Sequence, residues 1–230
     1  MNCNREHSYL RAMFYELKRL GLWAGENPLD GLRQLKIPER ELFFLSIKQI
    51  KKLLVEVDKS SNPDLGLVVR ICLSIGSRWG EAESLRAEQF QNGRIDLYGT
   101  GTKSGKNRSV PIPALLLDQL LNHSKDKSRL FSSCSGAFRS AVKRMGLNLP
   151  NGQLTHVLRH TFASHFIMNG GNIIVLQKIL GHQSLVMTMR YAHLSPEHLK
   201  EAIELNPLSM IGNCVDTSLT KTAKNTNGLD

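Results

Sequence analysis

Residues 155–193 read THVLRHTFASHFIMNGGNIIVLQKILGHQSLVMTMRYAH. The stretch alternates helix-forming runs with glycine stops. Thr155 is a residue type suited to a helix N-cap, and Gly170-Gly171 closes the helix it would open. Asn172 caps the next helix, which Gly181 ends. Ser184 caps a third, reaching Tyr191, and Pro196 opens a last helix through about residue 205. This end of the chain is therefore expected to be entirely helical.

Upstream, residues 135–145 and 114–122 are expected helices joined by a Ser-rich loop. Asn92-Gly93 is a hairpin-turn signal and separates expected strands over 87–91 and 94–98. Residues 108–112 form a third strand, with Pro111 and Pro113 marking an edge or an end. Between the second and third strands runs a Gly/Thr/Ser loop with Lys103 near its tip. A short helix covers about 80–85. Asn62-Pro63-Asp64 opens another that Gly76 ends. Ser46 and Gln49 form a capping box before Ile47, Ile50, Leu53, Leu54 and Val57, which share an inward face. At the N-terminus, Leu10, Met13, Phe14, Leu17 and Leu20 define one face of a helix, and Asn27-Pro28-Leu29-Asp30-Gly31 breaks it. The fold class read from this pattern is α+β, mostly helical with a small three-stranded antiparallel sheet. The expected organisation is a helix over 1–23, a linker over 24–45, one large domain over 46–210 and a disordered polar tail over 211–230.

At 230 residues the chain can bury a full core without disulfide or metal. Apolar residues at 41% and charged residues at 22% exclude low-complexity and collagen-like classes. No apolar run approaches the roughly 20 residues of a membrane span, and residues 1–10 carry no apolar signal core. A cytoplasmic protein is expected, with no membrane partner. Cys3, Cys72, Cys134 and Cys214 form no Cys-x-x-Cys pair, so four free thiols are expected rather than a zinc ribbon or a thioredoxin-like motif.

The net charge of +10 is unevenly placed. No acidic residue occurs between Asp126 and Glu197, while that stretch carries Lys127, Arg129, Arg139, Lys143, Arg144, Arg159, Lys178 and Arg190. Such a surface suits a polyanion. Within and before it lie five features with chemical potential. Arg78 sits at a helix break with Glu81 placed to hold its guanidinium. Lys103 is a turn cation. His156 and Arg159 share a helix face at i, i+3, just after an expected N-terminus that favours anions. His182 follows a helix stop, and Tyr191 ends the next helix. Each taken singly is ordinary: a surface ion pair contributes little, and a lone Tyr on an amphipathic helix is core. His156 and His160 at i, i+4 have a zinc spacing, but position 157 is Val and Arg159 would put a cation beside the metal. Taken together, two arginines, a lysine and two histidines around a tyrosine hydroxyl make a phosphoryl-transfer constellation. No carboxylate cluster accompanies it to hold magnesium, so neither metal nor cofactor is expected.

On these residues the sequence resembles the tyrosine recombinases of the phage integrase family. The motifs are Ser77-Arg78-Trp79-Gly80-Glu81, Thr102-Lys103 followed by Arg108-Ser109-Val110-Pro111, His156-x-x-Arg159-His160, Leu180-Gly181-His182 and Arg190-Tyr191-Ala192-His193. The resemblance covers about 46–205 and implies the tyrosine recombinase catalytic fold. It implies that residues 1–23 correspond to only the last helix of a core-binding domain. It implies a site-specific recombinase, an integrase, that cleaves and rejoins DNA through a 3′-phosphotyrosine without metal or ATP. Tyr191 would be the nucleophile, His156 the proton acceptor and Lys103 the general acid. Arg78, Arg159 and His182 would bind the phosphate, with Glu81 and His160 supporting them. Lys106, Arg108, Arg139, Lys143 and Arg144 are expected phosphate contacts. The implied partners are double-stranded DNA, further copies of the chain in a tetramer on paired sites, and accessory DNA-bending proteins, in a bacterial nucleoid. Residues 197–230 would be exchanged between neighbouring protomers. Two other readings stay open: a type IB topoisomerase-like enzyme with the same chemistry and no strand exchange, and a non-catalytic DNA-binding module.

Overall fold

A computed structural model describes residues 3–36, 42–98, 107–123, 130–196 and 207. The chain divides between residues 41 and 42 into two compact units. The first holds α1 (Cys3–Arg19), none of whose side chains is buried, and the segment after it. Residues 24–36 lie within the segment expected as a linker over 24–45, and they make side-chain contacts to α1. The Asn27 amide donates to the Arg11 carbonyl at 2.9 Å, and Asp30 accepts from Arg11 and Tyr15. Asn4 and Leu35 exchange two hydrogen bonds at 2.8 Å. Residues 24–36 thus fold back along α1 through polar contacts that hydrophobic periodicity does not register.

The second unit begins at Leu42, earlier than the expected boundary. The Leu45 side chain is fully buried and its N–H donates to Thr161 Oγ1 at 2.9 Å. Then come α2 (Ile47–Asp58), α3 (Leu65–Ile75), α4 (Trp79–Glu83), β1 (Phe90–Gln91), β2 (Arg94–Leu97), β3 (Arg108–Pro111), α5 (Ala114–His123), α6 (Ser135–Arg144), α7 (His156–Met168), α8 (Ile173–Leu180) and α9 (Val186–Met189). This is the mostly helical fold with a small antiparallel sheet that the sequence predicted. The Ser46–Gln49 capping box is formed.

The sheet has the order β1-β2-β3, with Leu97 opposite Arg108 and Arg94 opposite Pro111, so Pro111 sits on an edge strand. Asn92 (φ 49°) and Gly93 (φ 72°) both adopt the left-handed backbone that a two-residue hairpin turn needs. The expected first strand is shorter, because residues 87–89 form a 3₁₀ turn in which the Gln89 side chain caps the Arg86 N–H. Two further expectations fail in the same way. Thr155 and Ser184 make no side-chain cap, and Thr155 already has helical φ and ψ. Gln153 supplies the carbonyl that starts α7 instead.

The main core joins α2, α3, α5 and α6 with the inner face of the sheet, through Leu53, Val68, Ile71, Ile95, Leu97, Leu120 and Phe138. Helix α7 packs on α3 and is buried on most sides, including Arg159. A second cluster of Ala163, Ile167, Leu176, Leu180 and Tyr191 joins α7 to α8 and the turn after α9. Among the described residues, no helix is long and apolar enough to cross a membrane.

Candidate active site

The site grows from helix ends. Gly76 closes α3 in the left-handed conformation (φ 61°), which turns its carbonyl toward α7. Arg159 donates to that carbonyl at 2.8 Å and to the Leu180 carbonyl, at the end of α8, at 2.6 Å. Orphan carbonyls at two helix C-termini therefore hold a buried guanidinium. Neither partner is a carboxylate, so the charge is fixed in place without being neutralised by an ion pair. Burial, then the positive charges of Arg78 and Arg108, push Arg159 down to about 10. It remains cationic at neutral pH, and the surplus positive charge favours an anion beside it.

Arg78 is the extended residue that starts α4. Its backbone N–H donates to Glu81 Oε2 and its Nη1 to Oε1, both at 2.8 Å. The same carboxylate receives Arg108, Nη1 to Oε1 at 3.0 Å and Nη2 to Oε2 at 2.6 Å, while Arg108 Nε donates to the Ile179 carbonyl at 2.7 Å. Arg108 is only 8% exposed at its side chain and Arg78 is 45% exposed. Arg108 was expected as a phosphate contact; in the fold its fork is occupied by Glu81. Burial alone would raise the Glu81 pKa, but Arg108 and Arg78 outweigh it and hold the carboxylate down at about 2.

Tyr191 is 3% exposed, and its Oη lies 2.8 Å from His160 Nδ1. The expectation gave the proton acceptor's part to His156, yet the ring against the phenol is His160. His156 is exposed, with its ring centroid 6.2 Å from that of His160. Burial, then His156, Arg159 and Arg190, push His160 down to about 4, so its imidazole is neutral at pH 7 and can accept the phenol proton. Burial raises the Tyr191 pKa against the opposing pull of Arg159 and Arg190. Although the residue is open to solvent, partial desolvation of the His156 ring, then Arg159 and Arg78, lower its pKa. His182 Nδ1 lies 2.9 Å from Thr188 Oγ1, and burial, then Arg159, Arg78 and Arg108, push it to about 4.

Arg78, His156, Arg159, His160, His182 and Tyr191 thus share one neighbourhood. Lys103 and Lys106 lie outside the described residues, as do the expected exchange segment over 197–230, apart from residue 207, and the expected disordered tail over 211–230. Of the other expected phosphate contacts, Arg139 and Lys143 are exposed on α6. Arg144 instead donates to the Glu56 carboxylate and backbone carbonyl. The sequence reading missed Thr188. Its only signal there was a hydroxyl one helical turn before Tyr191. Chemically, the arrangement offers a hydroxyl nucleophile beside a neutral base and a cluster of fixed cations suited to phosphate.

Comparison with known proteins agrees with this geometry. The family model described as phage integrase family matches residues 44–198, and that of the phage integrase N-terminal domain matches residues 1–36. The integrase of Haemophilus phage HP1 is 57% identical over 206 residues, covering 90% of this chain and 60% of the relative. The integrase of Escherichia phage 186 is 56% identical over 210 residues, covering 91% and 61%. The chain therefore spans about 60% of the length of these curated relatives. Among solved structures, the catalytic domain of bacteriophage HP1 integrase matches with a TM-score of 0.69 and 56% identity, covering 74% of this chain and 98% of that one.

Proposed function

This chain belongs to the phage integrase family, and from that membership we propose that it is a tyrosine-type site-specific DNA recombinase. The observation that carries the reading is the Tyr191 hydroxyl, held by neutral His160 within reach of the field of Arg159. Tyr191 Oη attacks the scissile phosphorus, forming the O–P bond of a 3′-phosphotyrosine. Its proton passes to His160 Nδ1. The bond from phosphorus to the 5′-oxygen breaks, and Lys103 supplies the proton to that leaving group. Arg78 and Arg159 bind the non-bridging oxygens, and His182 donates to them through its free ring nitrogen. The covalent ester conserves the bond energy. Attack by a 5′-hydroxyl of a second strand reverses the steps and joins DNA in a new connection. Double-stranded DNA is the substrate, and assembly of further copies on paired sites would bring the second strand to the ester.

The test is incubation of the chain with a nicked suicide DNA duplex in the presence of a chelator. Wild type is expected to form a covalent protein–DNA adduct, and Tyr191→Phe to form none while binding DNA normally. An adduct that survives Tyr191→Phe, or that requires magnesium, refutes the reading.

A further inference from the structure

We propose that Thr188 is a positioning residue that fixes the ring proton of His182 on Nε2. The inference rests on the phosphotransfer reading above, in which His182 donates to phosphate. Thr188 lies in α9 and is 0% exposed, with Oγ1 2.9 Å from His182 Nδ1. Among the described residues its hydroxyl has no other hydrogen-bond partner. A hydroxyl brings one proton to this contact. If Nδ1 carried the ring proton, Nδ1–H would donate to Oγ1, and the Thr188 O–H would be left without an acceptor at a fully buried position. If Nδ1 is bare, Thr188 donates to it, both groups are satisfied, and the ring proton sits on Nε2.

The backbone of His182 is fixed independently. Gly181 adopts the left-handed conformation (φ 66°), its N–H reaches the Lys178 carbonyl at 3.2 Å, and the His182 N–H reaches the Gln177 carbonyl at 3.1 Å. This is a Schellman closure of α8. With the backbone and Nδ1 both held, Nε2 is the ring nitrogen left to meet a ligand. The imidazole is neutral at pH 7 because burial and the charges of Arg159, Arg78 and Arg108 oppose its protonation. A neutral ring has a single N–H, so the tautomer decides whether His182 can donate at all. Thr188 also accepts the Tyr191 N–H on its own carbonyl at 3.0 Å. The residue that sets the His182 proton is therefore bonded to the backbone of the nucleophile.

Long-range proton–nitrogen correlation spectra of the full chain at pH 7 read the tautomer directly. Wild-type His182 is expected to show a bare Nδ1 and a protonated Nε2. A ring protonated on Nδ1, or on both nitrogens, overturns the proposal. Thr188→Val keeps the shape and removes the hydroxyl, whereas Thr188→Ser keeps the hydroxyl. The valine variant is expected to lose the single-tautomer signature. It should slow adduct formation at saturating DNA by about tenfold or more, approaching the 10²–10³ of a lost charge-stabilising donor, with DNA affinity unchanged. The serine variant restores both signature and rate. A valine variant with wild-type tautomer and rate, or a serine variant no better than valine, also overturns it. The spectra need no DNA, so a wild-type chain that forms no adduct counts against the recombinase reading while the tautomer result still decides the part assigned to Thr188.

Discussion

Glu81, whose side chain is 4% exposed, organises the arginine cluster by receiving both Arg78 and Arg108. Removing the charge leaves Arg108 buried without a counter-ion. Glu81→Gln is expected to destabilise the fold by about 3 kcal/mol, the lower end for breaking a buried pair from one side. Chemical denaturation at pH 7 measures it. The pH dependence follows from the same pair. Glu81 titrates near 2 in the fold and near about 4.3 when unfolded. Its stabilisation is therefore complete above about pH 4.3 and is lost as pH falls toward 2. The variant should lack this acid-side slope, and an identical slope in both proteins would contradict the account. The residue types of this site were singled out in the sequence as a set, and the fold brings Arg78, His156, Arg159, His182 and Tyr191 into one neighbourhood. What spacing did not carry is the pairing. Arg108 was expected to meet phosphate because β3 offers no clue that Glu81 lies opposite its guanidinium, 27 residues back in the chain. His156 and His160 are both histidines on α7, and only the packing of the turn after α9 selects His160 for the phenol.

Helix terminators set the frame in which these side chains meet. Gly76 illustrates how a stop signal becomes a functional position. A Cβ there would run into the Phe162 ring and come within 2.9 Å of Leu180, and the left-handed φ disfavours any side chain. Its carbonyl also holds Arg159. Gly76→Ala is expected to cost more than about 1 kcal/mol of stability and to slow adduct formation by displacing Arg159. A variant of lowered melting temperature but wild-type cleavage rate would separate the fold from the site and contradict the second expectation. The glycine stops at Gly76 and Gly181 and the turn at Asn92-Gly93 were readable because conformational permissiveness is a property of the residue itself. The caps at Thr155 and Ser184 were not. A hydroxyl caps only where its own backbone stays extended, and the packing of α7 draws Thr155 into the helical region.

Across the whole chain, the surplus of positive charge is the feature that bears on the proposed DNA substrate. Arg108 and Arg144 are engaged by Glu81 and Glu56, whereas Arg139 and Lys143 stand exposed on α6. For about six phosphate contacts, DNA affinity should fall on the order of 10³ between 50 and 200 mM salt. The double variant Arg139→Gln, Lys143→Gln should lower the salt slope by about 2, roughly one per contact, at any DNA sequence. A slope equal to wild type would remove both residues from the interface. The acid-free stretch is a matter of composition, and the helical runs up to Tyr191, the hairpin turn and the set of candidate site residue types lie in local sequence. These the sequence by itself determined, since each depends on the intrinsic properties of one residue or on spacing along one element. Tertiary structure alone decided the rest. It folded residues 24–36 back on α1, gave Arg108 to Glu81, gave His160 to Tyr191, and set Thr188 against His182. A hydrogen bond requires donor and acceptor to be aligned near 3 Å. Between elements as distant as Gly76 and Arg159, that alignment is supplied by the packing of the core between them.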